Sequence, residues 1–344
     1  MKKFNNVSKI KFFGFVFLMI IVMKSNAQIN PKIYMDEKEL PEMLHRKMII
    51  ALMDENPDEV KRLEKKEKKN PEGLTEYRNE IKEFNDYLKA GVEKYWKLNS
   101  DYEYKSMTEV NELMKDEKKN KSHKYMVLSL GYLSDTEMDF STRSSITIRV
   151  LIWTRAEEKQ TKPDYKIYIP NSNVREKVMF TQTDISFGLI AMQNNIRYIQ
   201  SKNKVLNFDD YVHDVAKQNC SRMTGKTILI DKALLEAKPL KEEEAKIKDK
   251  YKGAFKIVDH DEIDKAFEEG RENTVILMCI PYGIMKGSFI IVSSSLLVTA
   301  KITVDCSTKE ILNQHEYTSG LGLMGKVVSP LIQPRNVEGV AQCK

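Results

Sequence analysis

A thirteen-residue pattern occurs twice, at Tyr102–Met114 and Phe255–Phe267, and it constrains the fold more than any other feature of the chain. Each copy opens on an aromatic-led extended stretch. A polar residue follows with a glutamate three positions on, Ser106 with Glu109 and Asp259 with Glu262. That is the capping-box spacing, in which the cap side chain accepts from the N3 amide and the glutamate reaches back to the cap amide. Val110, Leu113, Met114 and Ile263, Ala266, Phe267 then mark the i, i+3, i+4 face of an amphipathic helix. The recurrence predicts a duplicated strand–cap–helix unit.

The flanking sequence extends the repeat. Lys47–Met53 and Lys226–Asp231 are short apolar runs fit for buried strands, and Tyr125–Leu130 and Thr274–Ile280 supply a strand after each helix. Ser145–Trp153 and Tyr165–Ile169 read as a hairpin whose exposed tip is the charged link Arg155–Asp164. In the second copy, Pro281-Tyr-Gly283 is expected to halt its strand, Ser288–Asp305 to form at least two strands, and Glu310-Ile-Leu-Asn313 to form the next. Both copies read β-α-β-α-β-β, an α/β class of mixed sheet layers in two tandem related units. The first unit spans residues 28–172 and contains an inserted helix at 75–97. Residues 173–224 are connecting helices that pack on the first unit, and residues 225–344 are the second unit with a C-terminal tail. In the connection, Ile185, Leu189, Met192, Ile196 and Ile199 mark a helix buried against its own sheet.

At the N-terminus, Lys2, Lys3, Lys9 and Lys11 precede the apolar run Phe12–Met23, and Ser25 and Ala27 occupy the −3 and −1 positions of a cleavable secretory signal. The run is shorter than the ~20 residues of a spanning helix. Residues 1–27 hold five lysines and no acid, so the formal charge of +6 falls to +1 without them. This near-neutral chain lacks the concentrated basic field that a nucleic acid requires. No other stretch is long and apolar enough to form a transmembrane segment. All four cysteines lie between Cys220 and Cys343, and export makes disulfides plausible, with three pairings open. Cys343 is expected to staple the tail, through Cys306, while Cys279 reads as a buried thiol.

Asp259–Phe267, the strand 274–280 and Asp305-x-x-Thr308-x-Glu310-Ile311-Leu312 carry a resemblance over about residues 225–315. This stretch resembles the envelope α/β domain of the curli-secretion CsgG family, its lipoprotein relatives and the TolB N-terminal domain. Lys309 stands where that domain's turn has glycine, and the first copy lacks the turn. The resemblance implies an exported domain that works by protein contacts within the envelope, without a cofactor.

Among chemical candidates, Asp259-His260-Asp261-Glu262-Asp264 is the densest ionisable cluster. Asp259 and Glu262 have a capping role, and the other acids suit the positive end of a helix. Asp259, His260 and Asp261 are the residues that a metal-assisted hydrolase with a cleft between the units would use. Asp210, His213 and Asp214 share a helix face with zinc-ligand spacing but have no identifiable third strong ligand. Gly320-x-Gly322-x-x-Gly325 lacks the βαβ context and later acid of a dinucleotide site. Tyr95-Trp96 and Trp153 read as core aromatics rather than a binding platform. The expected function is that of an exported periplasmic or extracellular binding and assembly protein with an envelope protein partner, no cofactor and no catalytic residues identifiable in sequence. The inserted helix and the hairpin tip are its expected contact surfaces.

Overall fold

The apolar run at Lys47 becomes β1 (Lys47–Leu52), flanked by two parallel partners, β2 (Tyr102–Ser106) and β3 (Tyr125–Ser134). β4 (Thr147–Arg155) and β5 (Tyr165–Tyr168) add antiparallel, giving the order β2-β1-β3-β4-β5. The second sheet repeats this plan. β6 (Thr227–Asp231) lies between parallel β7 (Phe255–Val258) and β8 (Thr274–Phe289), and antiparallel β9 (Val292–Asp305) and β10 (Ile311–His315) follow in the order β7-β6-β8-β9-β10. The registers agree as well. Met48 pairs with Tyr102 and Met126 as Ile228 pairs with Phe255 and Val275, and Leu128 pairs with Trp153 as Leu277 with Thr303. These elements come from a computed structural model that describes residues 35–66, 70–134, 147–157, 163–170, 180–235, 239–289, 292–315 and 331–343.

The helices match in the same way. α1 (Leu40–His45) precedes β1, and α2 (Pro57–Glu64) begins at Asn56, whose side chain accepts from the Asp58 and Glu59 amides. α3 (Gly73–Tyr95) buries Phe84, Leu88 and Val92 in the cluster that holds Met48 and Ile50. α4 (Met107–Asn120) covers the opposite face, burying Val110 and Met114 with Ile49, Ala51 and Val127. α5 (Gln182–Lys202) lies beside α3, and α6 (Phe208–Asn219) leads to the second unit. There α7 (Leu240–Lys250) buries Ile247 with Ile228 and Ile230, as α3 does in the first unit. α8 (His260–Glu269) places Ile263, Ala266 and Phe267 with Leu229 and Ile276, as α4 does. α9 (Pro334–Ala341) packs beside α7 as α5 packs beside α3.

The repeat is therefore longer than sequence implies: each unit is β-α-β-α-β-β-β-α. The helix expected as an insertion at 75–97 is α3, the counterpart of α7. The additional residues of the first unit form α2 and the greater length of α3, 23 residues against 11.

One continuous core joins the units. Met48, Phe84, Ile185, Leu189, Phe267 and Ile276 belong to a single buried cluster with α5 in the middle of it. Ile185, Leu189, Met192, Ile196 and Ile199 of α5 are all buried, but so are residues on its other sides, including Asp184, Ser186, Phe187 and Asn195. The helix faces its own sheet on one side and α8 on another. α6 departs from the expectation that both connecting helices pack on the first unit. It packs on β10, and Asn219 Nδ2 donates to the Ile311 carbonyl at 2.9 Å.

Three local expectations change. The Ser106–Glu109 capping box forms, with the Glu109 amide donating to Ser106 Oγ at 3.2 Å and the Ser106 amide donating to Glu109 Oε2 at 2.8 Å. The Asp259 box does not. Asp259 makes no side-chain cap bond because Lys232, just past the end of β6, draws its carboxylate away, while Glu262 pairs with Arg271 at 2.6 Å. Pro281 does not halt β8. It falls at an irregularity between Pro281 and Gly283, a place where proline's missing donor is tolerated, and Ser288–Asp305 holds the last residues of β8 and the whole of β9. Finally, Cys343 bridges to Cys220 (Cα–Cα 5.3 Å), and Cys306 is a free, buried thiol like Cys279. The tail is stapled as expected, but to the end of α6, which sequence separation conceals.

Candidate functional site

A network of ionisable and polar side chains forms where α8 meets α3 and α5. Glu268 is the hub. It accepts from Lys94 Nζ at 2.7 Å, Tyr95 Oη at 2.9 Å and Ser186 Oγ at 2.9 Å. Lys94 also donates to the Glu268 carbonyl at 3.0 Å, and the Thr183 amide at the start of α5 donates to Asp264 at 3.1 Å. Burial, aided by Glu268, raises the Tyr95 phenol to about 12, so it remains a donor at neutral pH. These bonds run between the units and fix α8 in the groove between α3 and α5. Sequence reasoning missed the hub, since Glu268 lies outside the acidic cluster and its partners are far along the chain.

His260 sits about two turns away at the start of α8, with Nδ1 2.8 Å from Asp231 at the end of β6. Burial alone would lower its pKa. The Asp231 carboxylate, with Asp264 and Asp184 nearby, outweighs burial and holds the imidazole up at about 9. At neutral pH His260 is thus a cation that donates to Asp231, and its buried Nε2 meets no hydrogen-bond partner. An imidazolium is neither a ready general base nor a metal ligand, which must be neutral. Asp259 lies with Lys232 instead, so the three residues of the hydrolase alternative, Asp259, His260 and Asp261, have divergent partners where partners are seen. Among the described residues no group of three or more His, Cys, Asp or Glu side chains stands close enough to hold a metal ion.

The other candidates also separate. Asp214 accepts from Tyr198 Oη at 3.2 Å, His213 Nδ1 lies 3.1 Å from Gln314 Nε2, and the Asp210 amide serves the Asn207 cap. Trp96 and Trp153 are buried core residues, and Tyr95 belongs to the hub. The glycine run at 320–325, the residues 1–27 and the tip of the 155–164 link lie outside the described residues, but the link is closed at its base by Arg155 Nη2 on Asp164 at 2.8 Å.

A different kind of feature stands out on the second sheet. β6 pairs with β8 only over Thr274–Leu277, and β10 pairs with β9 only over Lys301–Val304. The β8–β9 hairpin nevertheless continues from Pro281↔Thr299 to Phe289↔Val292. Among the described residues this ribbon has no third strand on either edge. β3 and β4 likewise run beyond β1, from Ser129↔Ile152 to Ser134↔Thr147. No helix among the described residues is long and apolar enough to cross a membrane. No family model, no curated protein and no solved structure matches the chain.

Proposed function

We propose that the chain is an exported protein of a bacterial cell envelope that works through protein contacts, as a binding and assembly module rather than an enzyme. The β8–β9 ribbon carries this reading. Open strand edges present rows of unpaired N–H and C=O groups, and a two-stranded ribbon is marginal alone in water. Strand addition by a partner satisfies both needs, with main-chain hydrogen bonds supplying affinity. The Cys220–Cys343 bridge fits an oxidising compartment. The basic-then-apolar N-terminus and the likeness of residues 225–315 to envelope domains point the same way. Within the ionisable cluster, by contrast, Asp259, His260 and Glu262 pair inside the second unit, and Asp264 accepts from Thr183 at the start of α5.

Cross-linking in intact cells tests the proposal. The expected result is a covalent complex with an envelope protein or with further copies, lost when residues 282–298 are replaced by a tight turn. Recovery of free monomer alone, or of the same complex without the ribbon, contradicts it.

A further inference from the structure

The two units are docked through faces that are not equivalent. The first unit contributes its α3–α5 groove, and the second contributes α8. Each unit carries both features, so the second unit still owns an α7–α9 groove and the first still owns an α4 helix.

The groove can be compared residue by residue. Aligning α3 and α7 on their last hydrogen bonds, Trp96 N to Val92 O and Tyr251 N to Ile247 O, places Lys94 with Asp249 and Tyr95 with Lys250. Ala90 and Gly91 then match Ala245 and Lys246. Aligning α5 and α9 on their caps, Thr181 and Gln333, places Gln182 with Pro334 and Ser186 with Glu338. In the first unit three of these positions receive α8, since Lys94, Tyr95 and Ser186 all bond Glu268, while Gly91 and Gln182 sit in the seam between α3 and α5. In the second unit Ala245, Lys246, Asp249, Lys250 and Pro334 line an open depression of about 450 Å³. The counterparts of Lys94 and Tyr95, which α8 covers in the first unit, thus line an open depression among the described residues of the second.

The helix that matches α8 is α4. Aligning the two thirteen-residue patterns and continuing the register by one residue sets Lys115 where α8 has Glu268 and Asn111 where it has Asp264. Lys115 and Asp249 are both exposed. The inter-unit ion pair Lys94–Glu268 is therefore mirrored with its charges exchanged: Asp249 stands at the lysine position and Lys115 at the glutamate position. Glu338 stands at the Ser186 position. Asp249 has only a loose contact with the neighbouring Lys250, at 3.9 Å.

We infer that the α7–α9 groove binds the α4 helix of a second copy of this chain, repeating between molecules the contact that α3–α5 and α8 make within one. Such a contact joins unlike faces, so it propagates head to tail and produces a ring if the rotation closes. The exchange of charges gives it specificity: α4 suits the second groove, and α8 suits the first. This deepens the assembly reading by naming a partner, but it rests on the repeat alone and not on export or on the ribbon.

Sedimentation velocity on the purified chain with its disulfide intact tests the inference. The wild type is expected to associate with rising concentration. Lys115→Glu and Asp249→Lys are each expected to weaken association roughly tenfold, and the double variant to restore it. Carbodiimide coupling is expected to yield an intermolecular Lys115–Asp249 linkage by mass spectrometry. A chain that stays monomeric, or association indifferent to both swaps, overturns the inference. If replacing residues 282–298 abolishes association while the swaps do nothing, the ribbon is the contact and this groove is not, with the assembly reading intact.

Discussion

At the residue scale, the repeat preserves interactions where it does not preserve identities. Arg46 and Lys226 occupy the same position just before the first strand of each sheet. Arg46 Nη1 meets Glu157 at 2.7 Å, and Lys226 Nζ meets Asp305 at 2.6 Å. Each cation ties the start of the first strand to the end of the fourth. Their carboxylates are largely shielded, at 10% and 1% side-chain exposure, so removing the cation leaves Glu157 with His123 and Asp305 with the Ser307 and Thr308 donors but without a permanent positive charge. Arg46→Met is expected to cost about 3 kcal/mol in urea denaturation. Burial would raise the Asp305 carboxyl, but Lys226 and the Ser307 and Thr308 donors hold it down at about 2. Its contribution is present above the ordinary value of 3.8 and is lost as pH falls through about 2. His260 works in the opposite sense. Its folded value of about 9 exceeds the ordinary 6.5, so its contribution is complete below 6.5 and disappears as pH rises through about 9. Urea midpoints across that range are expected to fall for the wild type and to fall less for His260→Gln. Equal falls would remove His260 from the explanation.

At the scale of elements, what could be read in the sequence was what local chemistry decides. Ser106 and Glu109 form their box because nothing nearby competes, and Ser106→Ala is expected to cost about 1 kcal/mol. Asp259 has the same spacing, but Lys232 reaches it from the end of a different strand, and no pattern in α8 announces that. Asp259→Ala is therefore expected to change stability by less than about 0.5 kcal/mol, as for an exposed ion pair. Comparing the two urea curves checks whether the boxes differ as their bonds do. The strands 47–53, 125–130 and 226–231 were legible from unbroken apolar runs, because parallel strands covered on both faces have no alternation. The partnership of Cys220 with Cys343 was not legible, since 123 residues separate them and the packing of both α6 and α9 on β10 brings them together. Opening that bridge by Cys220→Ser is expected to cost roughly 2–4 kcal/mol. Amide exchange should then quicken first in β9 and β10, against which α9 packs. The counterpart relation of α3 and α7 was hidden by their unequal length, and that of α5 and α9 by their different neighbours: α5 is enclosed by two units and α9 covers one.

At the scale of the whole molecule, the duplication follows from one repeated thirteen-residue pattern, while the strand order and the docking of the units do not. Docking depends on Glu268, which takes Lys94, Tyr95 and Ser186 from helices that the alignment of the two patterns leaves out. It also depends on α5, whose apolar positions were read as one buried stripe and which is buried on nearly every side. The acidic cluster at the start of α8 looked like a place for chemistry. In the folded chain it holds a helix against a strand end and a neighbouring unit. The central claim is that two copies of one eight-element unit share a core and unfold as one body. Differential scanning calorimetry tests it most directly. A single transition with equal calorimetric and van't Hoff enthalpies is expected for the wild type, and Glu268→Ala is expected to separate it into two. Two independent transitions in the wild-type chain would contradict a shared core.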